Sequence, residues 1–249
     1  MSTPGAKVGH MTQTSLNSAD LTAALEGAAP GTIVELPIPG AWVFVPRVFG
    51  DERGSFHEWF RAEQFTEHLG YPFTVAQANL SRSAKNVVRG IHLAEVPPGQ
   101  AKFVTCVSGV ITDILVDLRV GSPTFGKHVS VELSEDNNFG LFVPLGVGHG
   151  FAAQSERAMV SYLVTEAYNP EHEFEVDAYD ADLAIAWPVD AEQAVLSEKD
   201  TKAPSVQDVH DRLPQWRETR GWEKELRQEW DEAMAAAEEW GDEPDSSGR

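Results

Sequence analysis

The sequence predicts an all-β sandwich, on three observations. From Pro37 onward, short runs rich in β-branched and aromatic residues recur about every ten residues, separated by Gly, Pro, Asn or Asp. One of them, Val110-Ile-Thr-Asp-Ile-Leu-Val-Asp-Leu118, alternates with the period of two that a strand requires. No helices alternate with these runs, which argues against a parallel α/β sheet.

The chain divides into three parts. Residues 1–36 are small and polar, rich in Ala, Gly, Ser and Thr, and read as a mobile extension with one short helix from Ser18 to Glu26, where Asp20 is a possible cap. Residues 37–207 form the β domain. Its expected strands begin with Trp42–Pro46, Ser55–Phe60, Phe73–Asn79 and Val87–Leu93. After Pro97-Pro98-Gly99 come Lys102–Val107, Val110–Leu118, His128–Leu133 and Gly140–Val143, then Gly150–Gln154, Met159–Thr165 and Leu183–Trp187. A single helix, Arg61–Leu69, interrupts them and ends at Gly70. Residues 208–249 make an acidic helical tail, in which Trp222, Leu226, Trp230, Met234 and Trp240 fall close to one face and are expected to pack on the body or on a second subunit.

Composition excludes several classes of function. The net charge of −20 argues against nonspecific nucleic-acid binding, which needs a basic footprint. Between Glu218 and Asp245 stand eleven acidic residues against three basic ones, so an anionic substrate remains possible wherever arginines gather. The one cysteine, Cys106, lies in an apolar run and rules out a disulfide framework or a Cys-based zinc site within one chain. No apolar run approaches a membrane span, and the first residues lack the apolar block of a signal peptide, so a cytoplasmic protein is expected.

The stretch from Ser81 to Lys102 is the chemical centre of the sequence. Val87-Val88-Arg89-Gly90-Ile91-His92 reads as a strand, with Val88, Gly90 and His92 on one face and Arg89 and Ile91 on the other. A turn then allows the next strand to bring Lys102 near His92, pairing a base that titrates near neutrality with a fixed cation for an anion. Arg53, in a charged turn, has the fork that binds carboxylate or phosphate. Gln77 and Asn79 share a strand face, which suits a polar pocket better than a core. His149 stands between glycines that permit close approach of backbone or ligand. Tyr162 and Tyr168 carry hydroxyls able to serve as acids. The eight histidines include no His-x-His pair, and His92, Glu95 and His149 would be a sparse metal set, so no metal site is expected.

Several stretches occur in a specific order: DERGSFHEWF, QANLSRSAKNVVRGIH, AKFVTCVSGVITDILVDLRVGSPTFG, PLGVGHGF, SYLVTEAYNPEHE, and DLAIAWP followed by LSEKD. From about Pro39 to Pro204 the chain thereby resembles the dTDP-4-dehydrorhamnose 3,5-epimerases, sugar-nucleotide epimerases of the metal-free cupin type. The resemblance implies a jelly-roll fold, a homodimer, no metal or organic cofactor, and a dTDP-4-keto-6-deoxyhexose substrate. It makes His92 the general base for the protons at C3 and C5, Asp180 the aspartate that orients it, Tyr162 the acid on the opposite face, and Lys102 the cation at the enolate oxygen. Arg53, Phe56, Glu58, Gln77, Asn79 and Arg89 match positions that hold the nucleotide and its diphosphate, some reaching across the dimer, and His149 and Tyr168 match further pocket positions. Many members have Asp-Pro where this chain has Asp180-Ala181, so a looser turn is expected there. Relatives with the same base and acid epimerise one carbon only, which leaves a C3- or C5-only epimerase as the alternative; a silent sugar-nucleotide binder and a metal-dependent cupin are the readings from other classes.

Overall fold

Two antiparallel sheets enclose the main core. The computed structural model describes residues 18–241, with side chains for 20–238. From edge to edge the six-stranded sheet holds β1 (Thr32–Glu35), β2 (Trp42–Val45), β10 (Gly140–Val143), β7 (Lys102–Ser108), β12 (Arg157–Val164) and β5 (Gln77–Ala84). Facing it, the five-stranded sheet holds β13 (Glu173–Glu175), β6 (Val88–Ala94), β11 (Val147–Ala153), β8 (Val110–Asp117) and β9 (His128–Ser134). A separate hairpin pairs β3 (Val48–Asp51) with β4 (Gly54–His57).

Three layers of apolar packing explain why some strands alternate and others do not. Val43, Val104, Leu141 and Val160 of one sheet meet Ile111, Leu115, Val131 and Phe151 of the other in the central layer. Outside the six-stranded sheet, Trp42, Phe103 and Phe142 pack under helix α2 (Ala62–Leu69) through Phe65 and Leu69. Trp222, Leu226 and Trp230 of helix α4 (Trp216–Gly241) cover the same face. Outside the five-stranded sheet, Ile91, Ile114 and Val116 lie beneath Phe174, Val176, Leu183 and Val206. Strands buried on both faces have no solvent side, so Trp42–Val45 and Gly140–Val143 are apolar throughout. Each such Val, Leu or Phe contributes roughly 1.5–3 kcal/mol of burial.

The structure departs from the expected elements in definable places. From Ser18 on, the lead is packed rather than mobile: helix α1 (Ser18–Glu26) sets Leu21 and Leu25 into the central core, and β1 adds an edge strand beside β2. Residues 1–17 of the expected extension lie outside the described residues. Leu183–Trp187 is not a strand, because the Asp180 carboxylate closes a turn there and Ala184 adopts φ +43°. In α4, residues 231–238 are exposed, Met234 among them, so of the five residues expected on one face Trp222, Leu226 and Trp230 meet the body; the Trp240 side chain lies outside the described residues. No helix among the described residues is long and apolar enough to cross a membrane.

Candidate active site

A cavity of about 420 Å³ opens between the two sheets, and both sheets line it. From the five-stranded side, β6 contributes Arg89 and His92, and β13 contributes Glu173. From the six-stranded side, β5 contributes Gln77 and Asn79, β7 contributes Lys102, and β12 contributes Tyr162. Short helix α3 (Glu198–Thr201), on the segment that follows the sheets, adds Lys199 and Asp200.

The ladder between β6 and β11 accounts for two lining residues that simple alternation would separate. His92 pairs with His149, and Arg89 with Phe151, so β6 spends one residue more than β11 between these pairs. Gly90 sits at this bulge with φ +118°. A Cβ there would come within 2.6 Å of Gly150 Cα, so only glycine permits the approach. The extra residue turns both Arg89 and His92 to the cavity, in place of the opposite faces that period-two alternation predicts.

His92 Nε2 lies 2.7 Å from Asp200 Oδ1. Asp200 Oδ2 accepts from the Ser197 hydroxyl at 2.8 Å, while the Asp200 N–H donates to Ser197 Oγ at 3.0 Å, a reciprocal cap that locks the carboxylate in place. Burial pushes the Asp200 carboxyl up, but the hydrogen bond and charge of His92, with Ser197 and Lys199, outweigh it and hold the group below the ordinary aspartate value.

The aspartate expected beside His92 is therefore corrected. Asp180 Oδ1 accepts from the backbone N–H groups of Asp182 (2.8 Å) and Leu183 (3.0 Å), and Oδ2 from that of Val206 (2.8 Å). Both oxygens accept backbone N–H groups in tying a turn, and the carboxylate that meets the His92 ring is that of Asp200 in the LSEKD stretch. The turn expected to be loose at Asp180-Ala181 is held by these bonds.

The remaining candidates divide between the cavity and elsewhere. Gln77 Nε2 donates to Asn79 Oδ1 at 2.6 Å, and Gln77 Oε1 accepts from the Tyr168 N–H at 3.1 Å, so both strand residues and the tyrosine loop meet at one wall. Arg89 Nε donates to Ser83 Oγ at 3.1 Å. Lys102 is buried, which pushes its ammonium down, with Glu173 and Asp113 opposing. Burial raises the Tyr162 hydroxyl, favouring its protonated form. His149 is behind the cavity rather than on its wall, with its Nε2 between Asp113 Oδ1 (2.9 Å) and Oδ2 (3.1 Å); the Oδ2 approach has hydrogen-bond geometry. Arg53, Phe56 and Glu58 do not line the cavity of their own chain. Arg53 forks onto Asp51 with its side chain 85% exposed, and Phe56 stands 66% exposed opposite Phe49 on the β3–β4 hairpin. Glu58 pairs with Arg61 in a larger groove of about 530 Å³ beside α2, which holds no imidazole or tyrosine.

Sequence reasoning passed over Asp200, Glu173, Gln100 and Lys199, all of which line the cavity. The Ser-x-x-Asp spacing of Ser197 and Asp200 is a capping signature and was the available signal for Asp200. Among the described residues no group of three or more His, Cys, Asp or Glu could hold a metal ion.

The fold is a cupin-type jelly roll, and its cavity sets a histidine of one sheet opposite a tyrosine and a buried lysine of the facing sheet. The family described as dTDP-4-dehydrorhamnose 3,5-epimerase matches residues 35–208, and the chain belongs to this family. It is 43% identical to the dTDP-4-dehydrorhamnose 3,5-epimerase of Mycobacterium tuberculosis over 196 residues, 78% of this chain and 97% of that one. The solved epimerase of Mycobacterium tuberculosis superposes with a TM-score of 0.76 at 42% identity, covering 78% of this chain and 99% of that one. A 3′-monoepimerase of Streptomyces bikiniensis, solved in complex with dTDP-quinovose, superposes with a TM-score of 0.75 at 38% identity, covering 78% and 98% of the two chains.

Proposed function

We propose that this protein epimerises dTDP-4-keto-6-deoxyglucose at C3 and C5 by proton transfer next to the C4 ketone. The observation that carries the reading is the opposition of His92 to Tyr162 and Lys102 across one cavity, with an aspartate on the histidine. With Nε2–H donated to Asp200, the lone pair of His92 stands on Nδ1 and accepts the proton from the carbon. The electron pair of the broken C–H bond moves onto the C4 oxygen, where the Lys102 ammonium stabilises the enolate. Tyr162 then donates its proton to the opposite face of the same carbon, which inverts it. Asp200 keeps the imidazole in one tautomer and offsets the imidazolium charge. Arg89, with Gln77 and Asn79, suits the diphosphate and nucleoside of the substrate.

The exposed β3–β4 hairpin supports a homodimer in which Arg53 and Phe56 of one copy reach the cavity of the other, since neither has a role in its own. Incubation of the sugar nucleotide with the protein in heavy water tests the reaction, with deuterium at both C3 and C5 expected by NMR. Relatives that include a Streptomyces dTDP-4-dehydro-6-deoxyglucose 3-epimerase are as similar, at 43% identity, so the number of labelled carbons also separates the double from the single epimerase. Absence of label at either carbon would refute the reading.

A further inference from the structure

Glu173 is the cavity carboxylate that the mechanism above leaves unused. It stands on β13, whose next-but-one residue, Glu175, pairs with His92 in the ladder. Its Oε1 accepts from Gln100 Nε2 at 3.1 Å and from the Asn169 N–H at 3.2 Å, while Oε2 has no hydrogen-bond partner among the described residues. One oxygen is thus anchored and the side chain is held at the cavity wall, facing the same space as Lys102.

Lys102 needs such a neighbour. It is 8% exposed, and among the described residues no carboxylate approaches it within ion-pair distance, yet an enolate-stabilising lysine must keep its proton. The titratable groups around it come from six elements. Asp113 on β8 is engaged by His149 of β11, and burial pushes its carboxyl up, which weakens it as a counter-charge. Asp200 on α3 is held by His92 and Ser197, and Lys199 beside it is paired with Glu175 at 2.7 Å. Arg89 and His92 on β6 add only positive or neutral groups, and Tyr162 on β12 is neutral. Among the described residues Glu173 remains as the one carboxylate on the wall with an unengaged oxygen.

We propose that Glu173 is a positioning residue for the epimerase reaction: its fixed carboxylate across the cavity keeps Lys102 an ammonium, and Gln100 and the Asn169 N–H hold that carboxylate in place. The inference rests on the epimerase reading of this cavity. The direction of the electrostatics agrees, because Glu173 is the foremost charge opposing the burial of Lys102 and also raises Tyr162. Removing it lowers both groups, so the alkaline limit of turnover moves toward neutral pH.

The test is the titration of Lys102 by NMR of protein carrying 13C-labelled lysine, with the signal assigned by its loss in Lys102→Met. Glu173→Gln retains the shape and an acceptor for Asn169, and is expected to lower the Lys102 midpoint by about one pH unit. Glu173→Asp is expected to restore most of it. Glu173→Ala is expected to lower the Lys102 midpoint likewise, a check that survives if Glu173→Gln fails to fold. Unmoved Lys102 midpoints in both Glu173→Gln and Glu173→Ala overturn the proposal. The pH profile of deuterium exchange is the functional counterpart: its alkaline limb shifts down in Glu173→Gln and recovers in Glu173→Asp. A wild-type protein that exchanges no deuterium removes the epimerase reading and leaves the two titrations to decide on Glu173; normal exchange with unmoved midpoints removes the Glu173 assignment alone.

Discussion

His92 and His149 stand opposite one another in the β6–β11 ladder, and each meets an aspartate at Nε2. The His92 side chain is 37% exposed and lines the cavity, with Asp200 held behind it. His149 is 9% exposed and Asp113 wholly buried, between the sheets. The same two side-chain types are joined by similar bonds in both places. What separates them is access: a substrate carbon can approach the ring of His92, whereas His149 is enclosed by its own fold. The second pair then serves to satisfy two polar groups that cannot reach water.

Substituting one histidine at a time is the strongest way to break this comparison. His92→Asn is expected to lower deuterium exchange by about 10³-fold with little change in melting temperature. His149→Asn should do the reverse: depriving the buried Asp113 carboxylate of its imidazole partner costs about 3 kcal/mol in denaturant unfolding, with exchange reduced far less. If both variants lose exchange equally, access is not what distinguishes the pairs.

A smaller effect on turnover separates the two aspartates. Asp200→Asn leaves the helix turn capped but loses the orienting charge, so turnover is expected to fall about 10²-fold at nearly unchanged stability. Asp180→Ala strips the acceptor from the N–H groups of Asp182, Leu183 and Val206, and is expected to cost roughly 2–4 kcal/mol. A loss of turnover in Asp180→Ala at full stability would return Asp180 to the site.

The smallest effect is in acid. Asp200 is held below its unfolded value, so it stabilises the fold above that value, and the contribution disappears as the pH falls through the lower, folded value. Stability measured below about pH 4 should therefore decline less steeply in Asp200→Asn than in the wild type.

Much of the fold was legible because burial leaves a periodic mark. Val110–Asp113 alternates in burial before Ile114–Asp117 becomes buried throughout, and the runs at Trp42 and Gly140 became strands covered on both faces. The short β1, β3 and β13 carry no such mark, since four or fewer residues cannot display a period, and β13 nevertheless brings Glu173 to the cavity. In the site, the polar pair Gln77 and Asn79 on an alternating strand was readable as a pocket wall, and the structure has them on it. Arg89 was assigned the wrong face, because the bulge at Gly90 depends on how closely β11 approaches, which no local pattern records.

By itself the sequence determined the all-β class, the placement of His92, Lys102 and Tyr162 on strands, and the family, because side-chain alternation and ordered motifs are local properties of a chain. The tertiary structure alone decided which aspartate reaches His92. Asp180 and Asp200 stand on either side of the same covering segment, and only the folded path shows one taken up by backbone N–H groups and the other brought within 2.7 Å of the ring from 108 positions away. A hydrogen bond needs two groups within about 3 Å. For groups so far apart in the chain, that distance is set by how the sheets and their covering segments pack.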